Sequence, residues 1–245
     1  MLLSGLRKEV LEANLELVRQ GLVLFTFGNA SALSREDRLV VIKPSGVPYE
    51  KLRPEDMVVT DLQGKVVDGN LRPSSDLDTH LVLYRRFPHI GGVAHTHSEF
   101  ATAWAQACRP IPCLGTTHAD YFHGEVPVTA ALTAEEIAAE YEANSGHAIC
   151  RIFSDALATS VPGVLVSGHG PFTWGATGAE AVHNAVILEA IARMAYRTLQ
   201  LAEPAAPIGR ALHTSITCAS TEVKRTTDRQ RRSEFCIQPA VPRGP

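Results

Sequence analysis

His95 and His97 stand two residues apart in the strand-like run 91–98 (GGVAHTHS). In an extended chain, residues i and i+2 project from the same face, so both imidazoles can reach one ion. His169 follows on a second apolar run, VLVSGHGPF, and Asp76 precedes them in RPSSDLDTH. Three imidazoles and a carboxylate form a borderline-soft donor set suited to zinc, and a catalytic zinc keeps one position for substrate or water. A divalent cation there is a Lewis acid for negative charge developing on oxygen, so no Schiff-base lysine is required. Asp76 is the conditional member of the set, because the aspartate of an SSD turn equally suits a helix N-cap.

Three short turns offer a second kind of chemistry. Gly28-Asn29, Ser45-Gly46 and Ser74-Ser75 each combine a small residue with a hydrogen-bonding side chain. Glycine lets backbone amides approach a phosphate closely, serine hydroxyls donate, and a helix beginning after Ser75 favours negative charge. Taken singly, each is an ordinary turn. Lys43 offers a positive charge beside them. Asp120, in the polar segment TTHADYFHG, is a candidate proton-transfer group if partial burial raises its pKa toward the working pH. His118 and His123 in that segment acquire no role from their spacing.

The elements that must position these residues follow from periodicity. Leu6, Val10, Ala13, Asn14 and Leu17 recur at helical spacing and predict an amphipathic first helix ending at Gly21. The patterns predict strands over 22–27, 39–44, 57–62, 90–94 and 163–167, with turn chemistry between them. Helices are expected after Ser75 or Asp76 as cap and through 80–87, then over FATAWAQA. Thr133 and Glu136 have capping-box spacing for a further helix, and the longest helical pattern covers 179–202. Strands alternating with helices indicate an α/β layered fold in one domain.

Composition narrows the class. A net charge of −3 gives no electrostatic case for nucleic acid or an anionic membrane. The N-terminal stretch lacks a signal-peptide apolar core, and no segment has transmembrane length. Cys108, Cys113, Cys150, Cys218 and Cys236 show no metal or framework spacing and read as reduced thiols of a cytoplasmic protein.

In order, the chain carries GNASAL (28–33), IKPSGVPYE (42–50), RPSSDLDTH (72–80), GGVAHTHSEFATAWAQ (91–106), TTHADYFHG (116–124) and LVSGHGPFTWG (165–175). At this spacing they resemble the class II aldolase/epimerase family, over roughly 5–212 and on its epimerase side. The resemblance implies a three-layer fold with a central, largely antiparallel sheet covered by helices. It implies a homotetramer with active sites at subunit interfaces, and one Zn2+ per subunit held by His95, His97, His169 and conditionally Asp76. It also implies that Gly28, Asn29, Lys43, Ser45, Gly46, Ser74 and Ser75 bind a small-molecule sugar phosphate, with Asp120 as an acid/base reaching across the interface. The implied reaction is epimerisation of L-ribulose 5-phosphate to D-xylulose 5-phosphate at carbon 4, by retro-aldol cleavage and aldol re-addition. This places the chain in carbohydrate metabolism, such as arabinose or ascorbate breakdown. In this family the aldolases resemble one another in carrying Glu at position 76, where this chain has Asp. A class II sugar-phosphate aldolase is the alternative. A non-enzymatic member, like the adducin head, would not need the three histidines.

The segment 213–245 departs from the pattern and is expected to be a disordered tail following the domain at 1–212. The family resemblance implies an ending like DKHYLRKHGxKAYYGQ with a second acid/base tyrosine, yet no tyrosine follows Tyr196 here. One set of codons for 214–230 reads, from its third base, KHYLRKHGGKAHYGQA. The tail is therefore expected to reflect a one-base reading-frame slip that impairs activity.

Overall fold

A computed structural model describes residues 1–202 and 204–219. The chain opens with α1 (Ser4–Arg19), followed by strands β1 (Asn29–Ser34), β2 (Leu39–Ile42), β3 (Val58–Asp61) and β4 (Val66–Asp68). Then come α2 (Leu77–Arg86), β5 (Gly92–His95), α3 (Glu99–Gln106), α4 (Thr116–Tyr121), α5 (Ala134–Ile152) and α6 (Asp155–Ser160). Strands β6 (Gly163–Val166) and β7 (Gly170–Gly175) precede α7 (Gly178–Leu201).

The strands form one sheet in the order β4-β3-β2-β1-β5-β7-β6. Every neighbouring pair is antiparallel. Period-two alternation sorts the side chains onto two faces. Val40, Ile42, Val58, Val93 and Trp174 point into the larger core with Leu81 and Tyr84 of α2 and Ile149 of α5. On the other face, Ala30 and Ala94 pack with Ala13 and Leu17 of α1 and Ala181 and Ala185 of α7, while Val41 and Val59 meet Val10. The result is three layers, as expected: helices, sheet, helices. The small residues on the α1/α7 face let those helices lie close. At the start of β5 the connection from β7 to α7 comes closest, since a Cβ on Gly91 would lie 2.0 Å from the Ala176 carbonyl oxygen, and one on Gly92 would lie 2.2 Å from Thr177.

Several elements differ from the sequence expectation. The apolar stretch 22–27 is loop, not strand. Phe25 there takes a left-handed φ of 53° and stands 78 % exposed, conditions no paired strand allows. The strand is the next segment, Asn29–Ser34, so Asn29 is the first residue of β1 and only Gly28 (φ 81°) makes the turn. Its Asn, Ala and Ser content gives weak strand propensity, overridden by pairing on both sides with β2 and β5. Asp120, for whose polar segment the sequence predicts no element, sits in the short helix α4. The helix after Ser75 begins at Leu77 with Asp76 in the N-cap place, but neither side chain caps it. Thr133 and Glu136 do form the capping box of α5. Residues 210–219 are helical, so helix crosses the boundary expected at 212. The rest of the anticipated tail, and with it most of the segment read as a frame slip, lies outside the described residues. No helix among the described residues is long and apolar enough to cross a membrane, and the four described cysteines are free.

Candidate active site

His95 ends β5 and is the most rigidly placed of the three histidines. Its backbone pairs with Asn29 on one side and Phe172 on the other, and its ring stacks on Phe172 at 4.2 Å between centroids. Nδ1 donates to the Pro171 carbonyl at 2.9 Å. A carbonyl can only accept, so the proton is on Nδ1 and the lone pair is on Nε2, which faces His97 Nε2 at 3.1 Å.

His169 reaches the same place from the β6–β7 hairpin. Val166 pairs with Gly170, leaving Ser167-Gly168-His169 as the turn, with Gly168 in the left-handed region that such a tight reversal requires. Because β7 pairs with β5, this turn is carried to the end of β5. One ring nitrogen from each of His95, His97 and His169 lies within 4.8 Å of the others. Nδ1 of His169 is buried with no hydrogen-bond partner among the described residues. Burial, reinforced by His95, lowers His169 to about 4, and burial with the same neighbour lowers His97. Three imidazoles, each with a ring nitrogen in the cluster, are a donor set that fits a borderline divalent cation. Asp76 stands outside this cluster. Its Oδ2 accepts from Asn29 Nδ2 at 2.7 Å and from the Ser74 hydroxyl at 3.4 Å. Burial works to raise its pKa, but His95, His80 and His169 together with the Asn29 bond hold it below the ordinary carboxylate value. It is a carboxylate beside the cluster, oriented by two donors.

A cavity of about 350 Å³ opens in front of these groups. Gly28, Asn29, Lys43, Ser45, Gly46, Ser74, Ser75, Asp76, His97 and His169 all line it. His95 lies behind them. The loops meet because Pro44 and Pro73 bridge and the amides of Ser45 and Ser74 donate to Arg72 and Lys43 carbonyls at 2.9 and 3.0 Å. Those two amides are thus occupied, and what Ser45 and Ser74 can offer a ligand is their hydroxyls. Gly46 (φ 70°) has open space where a Cβ would project. Gly28 is tight instead, its Cβ position lying 2.9 Å from the His95 carbonyl oxygen, so its bareness serves packing against β5.

Lys43 is 1 % exposed. Nζ donates to the Pro44 and Thr26 carbonyls at 3.2 and 3.4 Å and lies 4.6 Å from the centre of the Tyr49 ring. Among the described residues it forms no ion pair. Burial alone pulls it down to about 8. A buried ammonium at a cavity wall, with no counter-ion among the described residues, is suited to receive an anion.

Tyr49, Tyr141 and Glu142 join the site without a signal in the sequence pattern. Tyr49 OH donates to the Gly28 carbonyl at 2.8 Å and supports both that turn and Lys43. Tyr141 and Glu142 line the cavity because α5 breaks at Glu140 (φ −144°, ψ 81°), and the Glu142 carbonyl is held by Thr79 Oγ1 at 2.6 Å. Asp120 does not line the cavity of its own chain. Its helix packs on α7, where Tyr121 meets His183 at 5.4 Å.

A family model described as class II aldolase and adducin N-terminal domain matches residues 8–196, and the chain belongs to that family. It is 56 % identical over 194 residues to L-ribulose-5-phosphate 4-epimerase UlaF of Salmonella paratyphi B, covering 79 % of this chain and 85 % of that protein. Among solved structures, an L-fuculose 1-phosphate aldolase superposes with a TM-score of 0.74 at 24 % identity, over 89 % of this chain and 96 % of that one. The L-fuculose-1-phosphate aldolase of Thermus thermophilus gives 0.63 at 27 %, over 81 % and 98 %.

Proposed function

We infer that the chain is an isomerase that interconverts L-ribulose 5-phosphate and D-xylulose 5-phosphate by inverting carbon 4. The observation that carries this reading is the cavity, which is lined both by His97 and His169 of the three-histidine cluster and by Lys43, buried and without an ion pair among the described residues, within an epimerase-like sequence. A divalent cation, which we take to be zinc, supplies Lewis acidity toward the ketose oxygens when bound to His95, His97 and His169. Lys43, the hydroxyls of Ser45, Ser74 and Ser75, and the open turn at Gly46 bind the phosphate. Asn29 and Asp76 orient the sugar near carbons 2 and 3.

The carbon 4 hydroxyl loses its proton and the bond between carbons 3 and 4 breaks, giving glycolaldehyde phosphate and the enediolate of dihydroxyacetone. The phosphate anchors retain the aldehyde while it turns. Attack on its other face then closes the inverted sugar. Asp120 moves a proton at the carbon 4 oxygen. Because it lies outside the cavity of its own chain, we propose that it acts in a neighbouring subunit's site, in a homotetramer. We also propose a cytoplasmic location, in keeping with the free cysteines.

The test is incubation of cation-loaded protein with L-ribulose 5-phosphate. D-Xylulose 5-phosphate should accumulate, and faster with added zinc. Release of free dihydroxyacetone and glycolaldehyde phosphate as the main products would establish an aldolase instead.

A further inference from the structure

His97 is held differently from His95. It lies two residues past the end of β5, at the cavity mouth, and among the described residues its ring nitrogens bond only to His95. What fixes it is the backbone on either side: β5 before it and α3 two residues after it. The N-cap residue of α3, Ser98, provides no side-chain cap. The cap comes from α7. One Glu189 oxygen accepts the amide of Phe100 at 2.8 Å and the other accepts that of Ala101 at 2.9 Å. A carboxylate bound to both amides of a first helical turn satisfies two orphan donors and complements the helix dipole. Farther along the seam, Trp104 Nε1 donates to the Ala192 carbonyl at 3.0 Å.

The other end of α3 touches the turn that carries His169. The Ala105 carbonyl accepts from the Gly168 amide in that turn at 3.0 Å. Cys108 Sγ lies 3.0 Å from Ser167 Oγ in the same turn. Thus α3 runs from one candidate ligand to the other, and its seat on α7 governs both.

We propose that Glu189 is a positioning residue of the metal centre: by clamping the first turn of α3 to α7 it sets the separation of His97 and His169. The proposal rests on the assignment of these histidines as ligands. Glu189→Ala should weaken Co2+ or Zn2+ binding by about tenfold or more, the scale for losing a group that orients a ligand. Visible absorption of the Co2+ form should also change. Glu189→Gln keeps one accepting oxygen and should recover part of the affinity. Trp104→Phe removes a hydrogen bond from the same seam while leaving the cap, and serves as the control. It should lower Tm and leave cation affinity at the parent value.

Affinity and Co2+ spectrum unchanged in Glu189→Ala would overturn the proposal. So would affinity falling equally in Trp104→Phe, because a general loosening of the seam would then explain both. If Glu189→Ala does not fold, the comparison of Glu189→Gln with Trp104→Phe decides by the same criterion. If the parent protein binds no cation, the ligand assignment itself fails, an outcome distinct from equal binding by parent and variant.

Discussion

The carbonyl of Pro171 determines which nitrogen of His95 faces His97. With Nδ1–H committed to that oxygen at 2.9 Å, Nε2 can only present a lone pair, and it does so toward His97. A ligand oriented from behind needs no rearrangement to bind, whereas the His97 ring has no such support among the described residues. The two histidines therefore differ as targets for substitution.

His97→Ala is expected to fold as the parent does, since the side chain faces the cavity mouth and belongs to no core cluster. Losing one of three imidazoles should remove most of the bound cation and nearly all turnover. Elemental analysis of the purified variant is the check, and a full complement of metal would remove His97 from the ligand set.

Lys43→Met should separate anion binding from cation binding. Deleting the buried ammonium should raise KM for the sugar phosphate about tenfold or more, with cation affinity unchanged. With Lys43 lowered to about 8 by burial, the free protein loses this positive charge as pH climbs through that value. Competitive inhibition by inorganic phosphate should weaken there in the parent and not in the variant.

Asp120→Asn is expected to leave cation and inorganic phosphate binding intact and to slow turnover by roughly 100-fold or more, the scale of a general acid or base. Mixing it with His97→Ala protein tests action between subunits. Hybrid assemblies pairing an intact Asp120 with an intact metal site across an interface should regain activity, and their failure to do so would argue for a site within one chain.

Acid should destabilise the cation-free protein through buried histidines outside the ligand cluster as well as those within it. Burial lowers His80 to about 3 and His118 to about 4. In the unfolded chain both return to about 6.5. As pH falls below that value the unfolded state takes up protons that the folded state refuses. Stability then drops by about 1.4 kcal/mol per pH unit for each residue until its folded value is reached. Urea midpoints at pH 7 and 5 measure this. His118→Gln, which keeps a donor for the Gly124 carbonyl now held at 2.7 Å, should flatten the dependence.

The tail gives a prediction at the level of the gene. If the encoding DNA carries a one-base slip near codon 213, the alternative frame should encode an ending like KHYLRKHGGKAHYGQA, and restoring it should raise turnover by orders of magnitude. Sequencing alone eliminates the idea if that frame reads otherwise.

The sequence displays the parts of the site that depend on short spacing. His95 and His97 share a face because strand periodicity is two, and the αL turn at Gly46 is readable from its residue type. The rest depends on contacts between distant segments. Strand β1 is built from Asn, Ala and Ser, poor strand formers, while the more strand-like 22–27 is loop. Ala30 and Ala32 lie beneath α1 and α7, where small residues are needed, and Asn29 and Ser31 hydrogen-bond on the other face to Asp76, His80 and Tyr84. Tyr141 and Glu142 reach the cavity only through a break at Glu140 that no local signal announces. The clamp from Glu189 to α3 joins residues 88 and 89 apart in sequence, beyond any pattern visible along one helix.

The hairpin that carries His169 also imposes an order in time. His95 and the Pro171 carbonyl it depends on are 76 residues apart, so a growing polypeptide exposes the first two histidines long before the third is synthesised. During that interval β5 has its β1 partner but lacks β7, and its other edge is unpaired. Such an edge is vulnerable to wrong pairing, and closure awaits a contact of long sequence separation. On the proposed ligand assignment, the complete three-histidine site is therefore expected to form late in biogenesis, too late for a cation held by all three to nucleate the first half of the chain. Cells starved of the ion should still produce the folded sheet, with competence added afterwards.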